Sequence, residues 1–132
     1  MNTNYADTFI LASADSTAER GLVPGRAGSV AQIQHALLVG DPYGLTSDDL
    51  LFEVHARRRG LAEAERGAER AAFFGRPQAC LRASPLVKRY GWGLHHDAAG
   101  LVAAYGVETE AYRTLAARGD LRIVPGMRSR RA

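Results

Sequence analysis

Residues Tyr90–Val107 read YGWGLHHDAAGLVAAYGV and hold the clearest strand pattern in the chain. Two strand-like runs, Tyr90–His96 and Leu101–Val107, flank the tetrapeptide Asp97-Ala98-Ala99-Gly100. Asp at the first position and Gly at the last are typical of a type I turn followed by a bulge, because glycine adopts the positive φ that the bulge requires. The segment therefore predicts a β-hairpin in the C-terminal half of the chain.

The first strand of this hairpin is predicted to have two different faces, because side chains alternate along a strand. One face holds Tyr90, Trp92, Leu94 and His96, and the other holds Gly91, Gly93 and His95. Glycines inside a strand mark the close approach of another group. That group is either a ligand or a helix of the same protein packed flat on the sheet.

Upstream of the hairpin, the sequence predicts one strand and three helices. The strand is Thr8–Ala12, followed by a loop over residues 13–28. Apolar residues at helical spacing, with capping residues before them, predict the helices. These run from the Ser29 N-cap to Val39, from Thr46 or Ser47 to Gly60, and from Leu61 to Phe74. Leu50–Arg58 also alternates as a strand would, but the caps on either side favour the helix.

The remaining elements complete an α+β fold. Gln78–Ala83 has the pattern of a strand, Glu108–Ala117 that of a helix, and Leu121–Val124 that of an edge strand. Strands beside several helices predict a small antiparallel sheet packed against about four helices. The chain is predicted to form one domain over residues 1–132, with residues 127–132 as a flexible basic tail.

The bulk composition is that of a globular protein. The chain has 132 residues, of which 46% are hydrophobic and 23% charged, and this length is enough for one hydrophobic core. No apolar run is long enough to cross a bilayer, and residues 1–10 lack the pattern of a signal peptide. The single cysteine, Cys80, excludes an internal disulfide framework. We therefore expect a cytoplasmic protein that does not interact with membranes.

The net charge of +3 is concentrated at the C-terminal end. Residues 118–132 contain five arginines and one aspartate, and the last six residues read MRSRRA. A basic segment of this kind binds phosphate groups or an acidic protein surface. Because the segment is short and no RNA-binding motif accompanies it, nucleic-acid binding remains an alternative only.

The densest group of polar residues precedes and enters the hairpin, between Cys80 and Asp97. Arginine offers a planar fork of donors and lysine a mobile charge, both suited to a carboxylate or phosphate. The predicted ligand-binding residues are Arg82, Ser84, Lys88, Arg89, Tyr90 and Trp92. The competing interpretation is that the charged residues are solvated loop residues and that Trp92 belongs to the core.

Four residues are candidates for catalysis: His95, Tyr105, Glu108 and Cys80. Imidazole titrates near neutral pH, so His95 with Tyr105 or Glu108 is suited to acid–base chemistry. Cys80 would share a strand face with Arg82, which favours a thiolate nucleophile, but a lone cysteine is more often a buried apolar residue. Glu108 equally suits a helix start. Consecutive histidines in a strand point apart, so His95 and His96 predict no metal site.

Five segments carry a family resemblance, and the most specific are CLRASP at residues 80–85 and KRYGWG at residues 88–93. The others are residues 4–10, residues 46–54 and the MRSRRA end. Together they resemble a family of small, mainly bacterial proteins that is known only as a domain of unknown function. The resemblance implies a single-domain protein and assigns no catalytic residue.

These observations favour a domain that binds a small anionic molecule, with Arg82, Lys88 and Arg89 holding the ligand beside Trp92 and His95. Such a domain either binds only or acts as an acid–base enzyme. A nucleic-acid-binding module and a protein-interaction domain without chemistry are the alternatives. The sequence defines neither a cofactor nor an oligomeric state.

Overall fold

A computed structural model describes residues 2–129 and contains a four-stranded sheet with helices on both faces. The strands are β1 (Thr8–Leu11), β2 (Trp92–His96), β3 (Val102–Gly106) and β4 (Arg122–Pro125). The helices are α1 (Val30–Gly40), α2 (Ser47–Arg59), α3 (Arg66–Phe74), α4 (Pro85–Arg89) and α5 (Glu110–Ala117). The predicted α+β class is confirmed.

The strands lie in the order β3-β2-β1-β4. Strands β2 and β3 form the predicted hairpin, in which Trp92 pairs with Gly106 and His96 with Val102. Strand β1 is antiparallel to β2 but parallel to β4, so the sheet is mixed rather than wholly antiparallel. Helix α5 connects β3 to β4, and such a strand–helix–strand connection lets β4 run in the same direction as β3. Strand β3 runs in the same direction as β1, so β4 is parallel to β1.

Local capping chemistry places the first two helices where the sequence predicts them. The Ser29 side chain accepts a hydrogen bond from the Gln32 backbone N–H at the start of α1. Thr46 and Asp49 form a reciprocal capping box at the start of α2, and Gly60 ends that helix at a φ of 61°. The helix interpretation of residues 50–58 is therefore confirmed.

Two predicted helices begin later than expected. A 3₁₀ turn, Glu63–Glu65, precedes α3, because the Glu65 carboxylate accepts the Ala62 backbone N–H and closes a separate turn there. Helix α5 begins at Glu110, because the Thr109 hydroxyl accepts the Tyr112 backbone N–H as an N-cap.

The strand predicted at Gln78–Ala83 is wrong. Residues 78–80 are irregular, and Leu81–Ala83 form a 3₁₀ turn. Ser84 then caps α4, with Pro85 at its first position, where a missing backbone N–H costs nothing. The capping signal therefore overrides the strand-like alternation, and Cys80, Arg82 and Ser84 do not share a strand face.

The sheet separates two apolar clusters, because adjacent strand residues point to opposite faces. Ile10, Leu94 and Val102 pack against α1, α2 and α4 on one face. Phe9 packs with Leu115 and Tyr112 of α5 on the other. A Cβ atom on Gly93 would lie 2.6 Å from both the Phe9 Cζ and the Tyr112 Cε2 atoms. Packing of a helix, rather than a ligand, therefore accounts for this glycine.

The C-terminal segment is attached to the body as far as it is described. The Met127 N–H donates to the Arg82 carbonyl at 2.8 Å, and the Ser13 hydroxyl donates to the Met127 carbonyl. The Ser129 N–H donates to the Asp15 carboxylate at 3.0 Å. The last three residues of the predicted basic tail, 130–132, lie outside the described residues. None of the helices within residues 2–129 is long and apolar enough to cross a membrane.

Candidate functional site

A hydrogen-bonded network links three elements on the α5 face of the sheet. The Tyr43 hydroxyl lies 2.8 Å from His95 Nδ1 and 2.7 Å from the Tyr105 hydroxyl. His95 on β2 and Tyr105 on β3 are diagonal neighbours, because Tyr105 pairs with Gly93 and His95 with Ala103. Tyr43 reaches them from the turn between α1 and α2.

The backbone around Tyr43 explains how a turn residue reaches the sheet. Its N–H donates to the Val102 carbonyl at 2.9 Å, and the Val102 N–H donates to the Leu45 carbonyl at 2.9 Å. These two bonds pair the turn with the outer edge of β3 at Val102, where that strand begins. Tyr43 also has a φ of 60°, which is unfavourable for a bulky side chain and costs about 1 kcal/mol or more. Outliers of this kind occur preferentially at functional sites.

His95 is only 8% exposed. Burial lowers the pKa of its imidazole, and the positive charge of Arg118 lowers it further. Burial and the hydrogen bond with Tyr105 raise the pKa of Tyr43, which keeps its hydroxyl protonated. When neutral His95 carries its proton on Nε2, Nδ1 accepts from Tyr43, and the Tyr43 oxygen accepts from Tyr105. The other tautomer reverses both hydrogen bonds.

The network forms one wall of an open cleft of about 440 Å³. Its other polar lining residues are Glu110, Thr114 and Arg118, contributed by α5 and its C-terminal end. The Arg118 Nε and Nη2 atoms donate to Asp120 at 2.9 and 2.7 Å. Because guanidinium has five N–H donors, the Nη1 donors of Arg118 remain for a ligand. The cleft thus combines an imidazole, three hydroxyls, a carboxylate and a cation.

Over residues 1–132 the chain matches the family described as Family of unknown function (DUF6157). The chain belongs to this family. No curated protein and no solved structure gives a significant match. Membership of DUF6157 confirms the resemblance carried by the five segments, and it assigns no activity to the cleft.

Of the predicted site residues in the DUF6157 structure, His95 and Tyr105 line this cleft, and Tyr43 joins them there. Glu108 lies outside the cleft, and its carboxylate accepts the Gly21 backbone N–H at 2.9 Å, which fastens the long loop after β1. Glu110, two residues later, is the carboxylate that lines the cleft.

Three predicted ligand-binding residues form contacts within the fold. Arg82 Nε donates to the Pro125 carbonyl at 2.7 Å, and Trp92 Nε1 donates to the Leu22 carbonyl at 2.8 Å. The buried Ser84 hydroxyl donates to Gln34 Oε1 at 2.6 Å. These groups hold the loops of this DUF6157 protein against its sheet and helices.

The other predicted ligand-binding residues lie on or beside α4. Arg89 and Tyr90 line a second cavity of about 370 Å³ near the start of α1. Lys88 lies on the same helix and is half-buried. Arg82, Lys88 and Arg89 were predicted to lie together beside Trp92 and His95. In the structure these residues lie in several separate parts of the molecule.

Cys80 lies in a different environment from the one its sequence neighbours suggest. The Tyr5 hydroxyl donates to the Cys80 sulfur at 3.2 Å, and the Tyr5 ring packs edge-on against His96 at 5.2 Å between centroids. His96 is fully buried, and its Nε2 lies 3.1 Å from the Ser47 hydroxyl. These groups are on the sheet face opposite His95, which separates the thiol from the Tyr43 network.

Sequence reasoning missed four polar residues of the cleft: Tyr43, Glu110, Thr114 and Arg118. The only signal for Tyr43 is a large aromatic residue inside the turn Asp41-Pro42-Tyr43-Gly44. Glu110 and Arg118 are typical helix-end residues and carry no distinguishing signal. Within residues 2–129, no group of three or more His, Cys, Asp or Glu side chains is arranged to hold a metal ion.

Proposed function

We propose that this protein binds a small anionic molecule in the cleft beside Tyr43, His95 and Tyr105 and exchanges a proton with it. The observation that carries the proposal is the bridging Tyr43 hydroxyl, 2.8 Å from His95 Nδ1 and 2.7 Å from the Tyr105 hydroxyl. Two hydroxyls in series with an imidazole form a path along which a proton can move.

The lowered pKa of His95 keeps its imidazole neutral, and so able to accept a proton, at neutral pH. A neutral imidazole is the base, so Nδ1 takes the Tyr43 proton while Tyr43 takes that of Tyr105 and Tyr105 takes one from the ligand. The ligand gains one negative charge and His95 one positive charge, so charge is conserved. Return of a proton along the same path restores the starting state, and no oxidant or reductant is needed.

Arg118 supports an anionic ligand. It lines the same cleft, and two of its nitrogens are engaged by Asp120, leaving the Nη1 donors. A carboxylate held there would place the rest of a small acid against the hydroxyls of the opposite wall. We therefore expect a carboxylic acid whose carbon–hydrogen bond is acidified by a neighbouring carbonyl group, as in a 2-oxo acid.

The test is hydrogen exchange in D₂O, followed by ¹H NMR on a panel of 2-oxo acids. Enzymatic removal of a proton and its replacement by solvent deuterium should erase the signal of the carbon next to the carbonyl. Tyr105→Phe removes the hydroxyl at the end of the path and should slow exchange by about a hundredfold, a typical value for a general acid–base group.

Tyr112→Phe is the matched control. It removes a tyrosine hydroxyl on the same face of the sheet that bonds to the Ala12 backbone N–H and does not line the cleft. Exchange in this variant should match the unmodified protein. Equal slowing by both substitutions, or no exchange with any acid of the panel, would refute proton transfer in this cleft.

The rate of exchange should also depend on pH in the direction set by His95. Since its pKa lies below the ordinary value of 6.5, the basic form persists through neutral pH. Exchange should be constant from pH 8 to about 6.5 and decline at lower pH as the imidazole becomes protonated. A rate that rises on acidification would contradict the assignment of His95 as the base.

A further inference from the structure

We propose a second binding site, separate from the Tyr43 network, for an anionic molecule with an apolar body. It consists of two adjoining cavities on the helical side of the protein. The first, about 370 Å³, is lined by Arg26, Arg58 and Arg89. The second, about 460 Å³, is lined largely by apolar side chains between α1, α2 and α3.

The first cavity concentrates positive charge. Its three arginines come from the loop before α1, from the end of α2 and from the end of α4. No aspartate or glutamate of the described residues, 2–129, lines it. Like charges brought to one cavity repel each other, and a bound anion offsets that repulsion. Three forked guanidinium groups are well suited to a phosphate or carboxylate.

These arginines differ in their contacts from other arginines of α2 and α3. Arg57 and Arg66 pair with Glu53, and Arg70 pairs with Asp49. Within residues 2–129, the guanidinium groups of Arg26, Arg58 and Arg89 form no ion pair or hydrogen bond. Their charges are therefore available to a ligand.

The backbone at the start of α1 adds donors to this cavity. Val30 and Ala31 line it, and N–H groups in the first turn of a helix have no acceptor within that helix. The exposed Gly28 has a φ of 77° and nothing within 4 Å of where a Cβ would lie, so the approach to this helix end is unobstructed. The main support for the site is the three arginines, and the backbone N–H donors at the start of α1 add to it.

The second cavity supplies the apolar part of the site. Val30 and Arg58 line both cavities, so the two adjoin at these residues. Beyond them, Leu51, Val54 and Phe73 form the apolar wall, and Gln34, His55 and Arg59 are the polar lining residues. An anionic group held by the three arginines would thus leave its apolar body against these side chains. The ligand class is a soluble carboxylate or phosphate monoester with an aliphatic or aromatic body.

The test is isothermal titration calorimetry with three probes. Octyl phosphate is kept below the concentration at which it forms micelles. Octyl phosphate carries both parts of the ligand, inorganic phosphate only the anion, and octan-1-ol only the apolar chain. We expect octyl phosphate to bind at least about tenfold more tightly than either partial probe, because each partial probe lacks one set of contacts. Equal affinity of either partial probe, or no binding of octyl phosphate, would overturn the proposal.

Adjacent arginines of α2 provide the matched pair of variants. Arg58→Gln, and more strongly Arg58→Gln with Arg89→Gln, should weaken octyl phosphate binding by about tenfold or more, whereas Arg57→Gln should leave it within about twofold. Arg57 pairs with Glu53 and lines neither cavity. Equal losses in Arg57→Gln and Arg58→Gln would show that only general charge attraction is measured, and would overturn the site.

Two further measurements distinguish this site from the acid–base cleft and from a membrane-binding surface. Tyr105→Phe should not change the affinity for octyl phosphate, and a loss there would mean that the probe binds in the acid–base cleft instead. The protein is also sedimented with phosphatidylglycerol vesicles, with and without octyl phosphate. If it sediments with them and octyl phosphate does not displace it, the partner is a membrane surface rather than a soluble ligand. Either result would overturn the proposal as stated.

Discussion

His95 and His96 show how neighbouring residues of one type acquire different roles. They point to opposite faces of β2, so His95 contacts Tyr43 at the open cleft while His96 is fully buried against Tyr5 and Ser47. Burial lowers the pKa of His96 to about 4, and the adjacent His95 contributes to the same direction. Folding therefore favours the neutral form of His96.

The His96 environment predicts a loss of stability on acidification. In the unfolded chain the imidazole binds a proton near its ordinary pKa of 6.5, whereas in the folded protein it does so only near 4. The contribution to the free energy of unfolding is complete above pH 6.5 and is lost as the pH falls toward 4. The full difference is on the order of 3 kcal/mol, and about half should be lost by pH 5.2.

Urea denaturation at pH 7 and pH 5.2 measures this effect. His96→Gln keeps a polar group near Ser47 and should flatten the dependence on pH, although it lowers stability at pH 7. His55→Gln removes a partly buried imidazole from α2 and serves as the control, which should retain most of the dependence. If His96→Gln keeps the same pH dependence as the unmodified protein, His96 is not its source.

At the scale of elements, helix α5 packs close to strand β2 because Gly93 has no side chain. A Cβ atom on Gly93 would lie 2.6 Å from an atom of the Phe9 ring and 2.6 Å from an atom of the Tyr112 ring. It would lie 3.0 Å from the Ile10 carbonyl oxygen. Any larger residue would push α5 from the sheet. Since α5 also supplies Glu110 and Thr114 to the candidate cleft, its distance from the sheet sets the width of that cleft.

Gly93→Ala should therefore destabilise the protein by about 1–3 kcal/mol, the usual cost of overpacking a filled core. Gly67→Ala is the matched substitution, because Gly67 lies in α3 with nothing within 4 Å of its Cβ position. It should stabilise the protein by about 0.5 kcal/mol, since alanine loses less conformational entropy in a helix. Thermal and urea unfolding measure both, and a neutral Gly93→Ala would contradict the packing of α5 described above.

At the scale of the whole molecule, the two apolar clusters are linked through the strands that separate them. Phe9 belongs to the cluster beneath α5, and Ile10, the next residue, to the cluster beneath α1, α2 and α4. Strand β1 is central, with β2 on one side and β4 on the other, so loss of either cluster would disturb the same strand.

This arrangement predicts that the two clusters unfold as one cooperative unit. Trp92 reports on the edge of the first cluster, and far-UV circular dichroism reports on the helices and strands of both. The denaturation curves followed by Trp fluorescence and by circular dichroism should coincide within error. Two separated transitions would mean that the α5 side of the sheet unfolds independently.

The sequence by itself determined the features that depend on neighbouring residues. The caps at Ser29 and Thr46 and the stop at Gly60 define α1 and α2, and the turn Asp97–Gly100 defines the hairpin, because the groups that form them are a few residues apart. The same local reasoning failed at Gln78–Ala83, where alternation suggested a strand and Ser84-Pro85 began a helix instead.

Only the tertiary structure decided which side chains meet. Tyr43 lies 52 residues from His95 and 62 from Tyr105, and its position depends on two backbone bonds to the outer edge of β3. The parallel pairing of β4 with β1 and the dispersal of Arg82, Arg89 and Trp92 are likewise set by long-range packing. The physical reason is that spacing along a chain fixes the direction of a side chain relative to its own element, whereas the approach of two elements is fixed by burial of their apolar faces together.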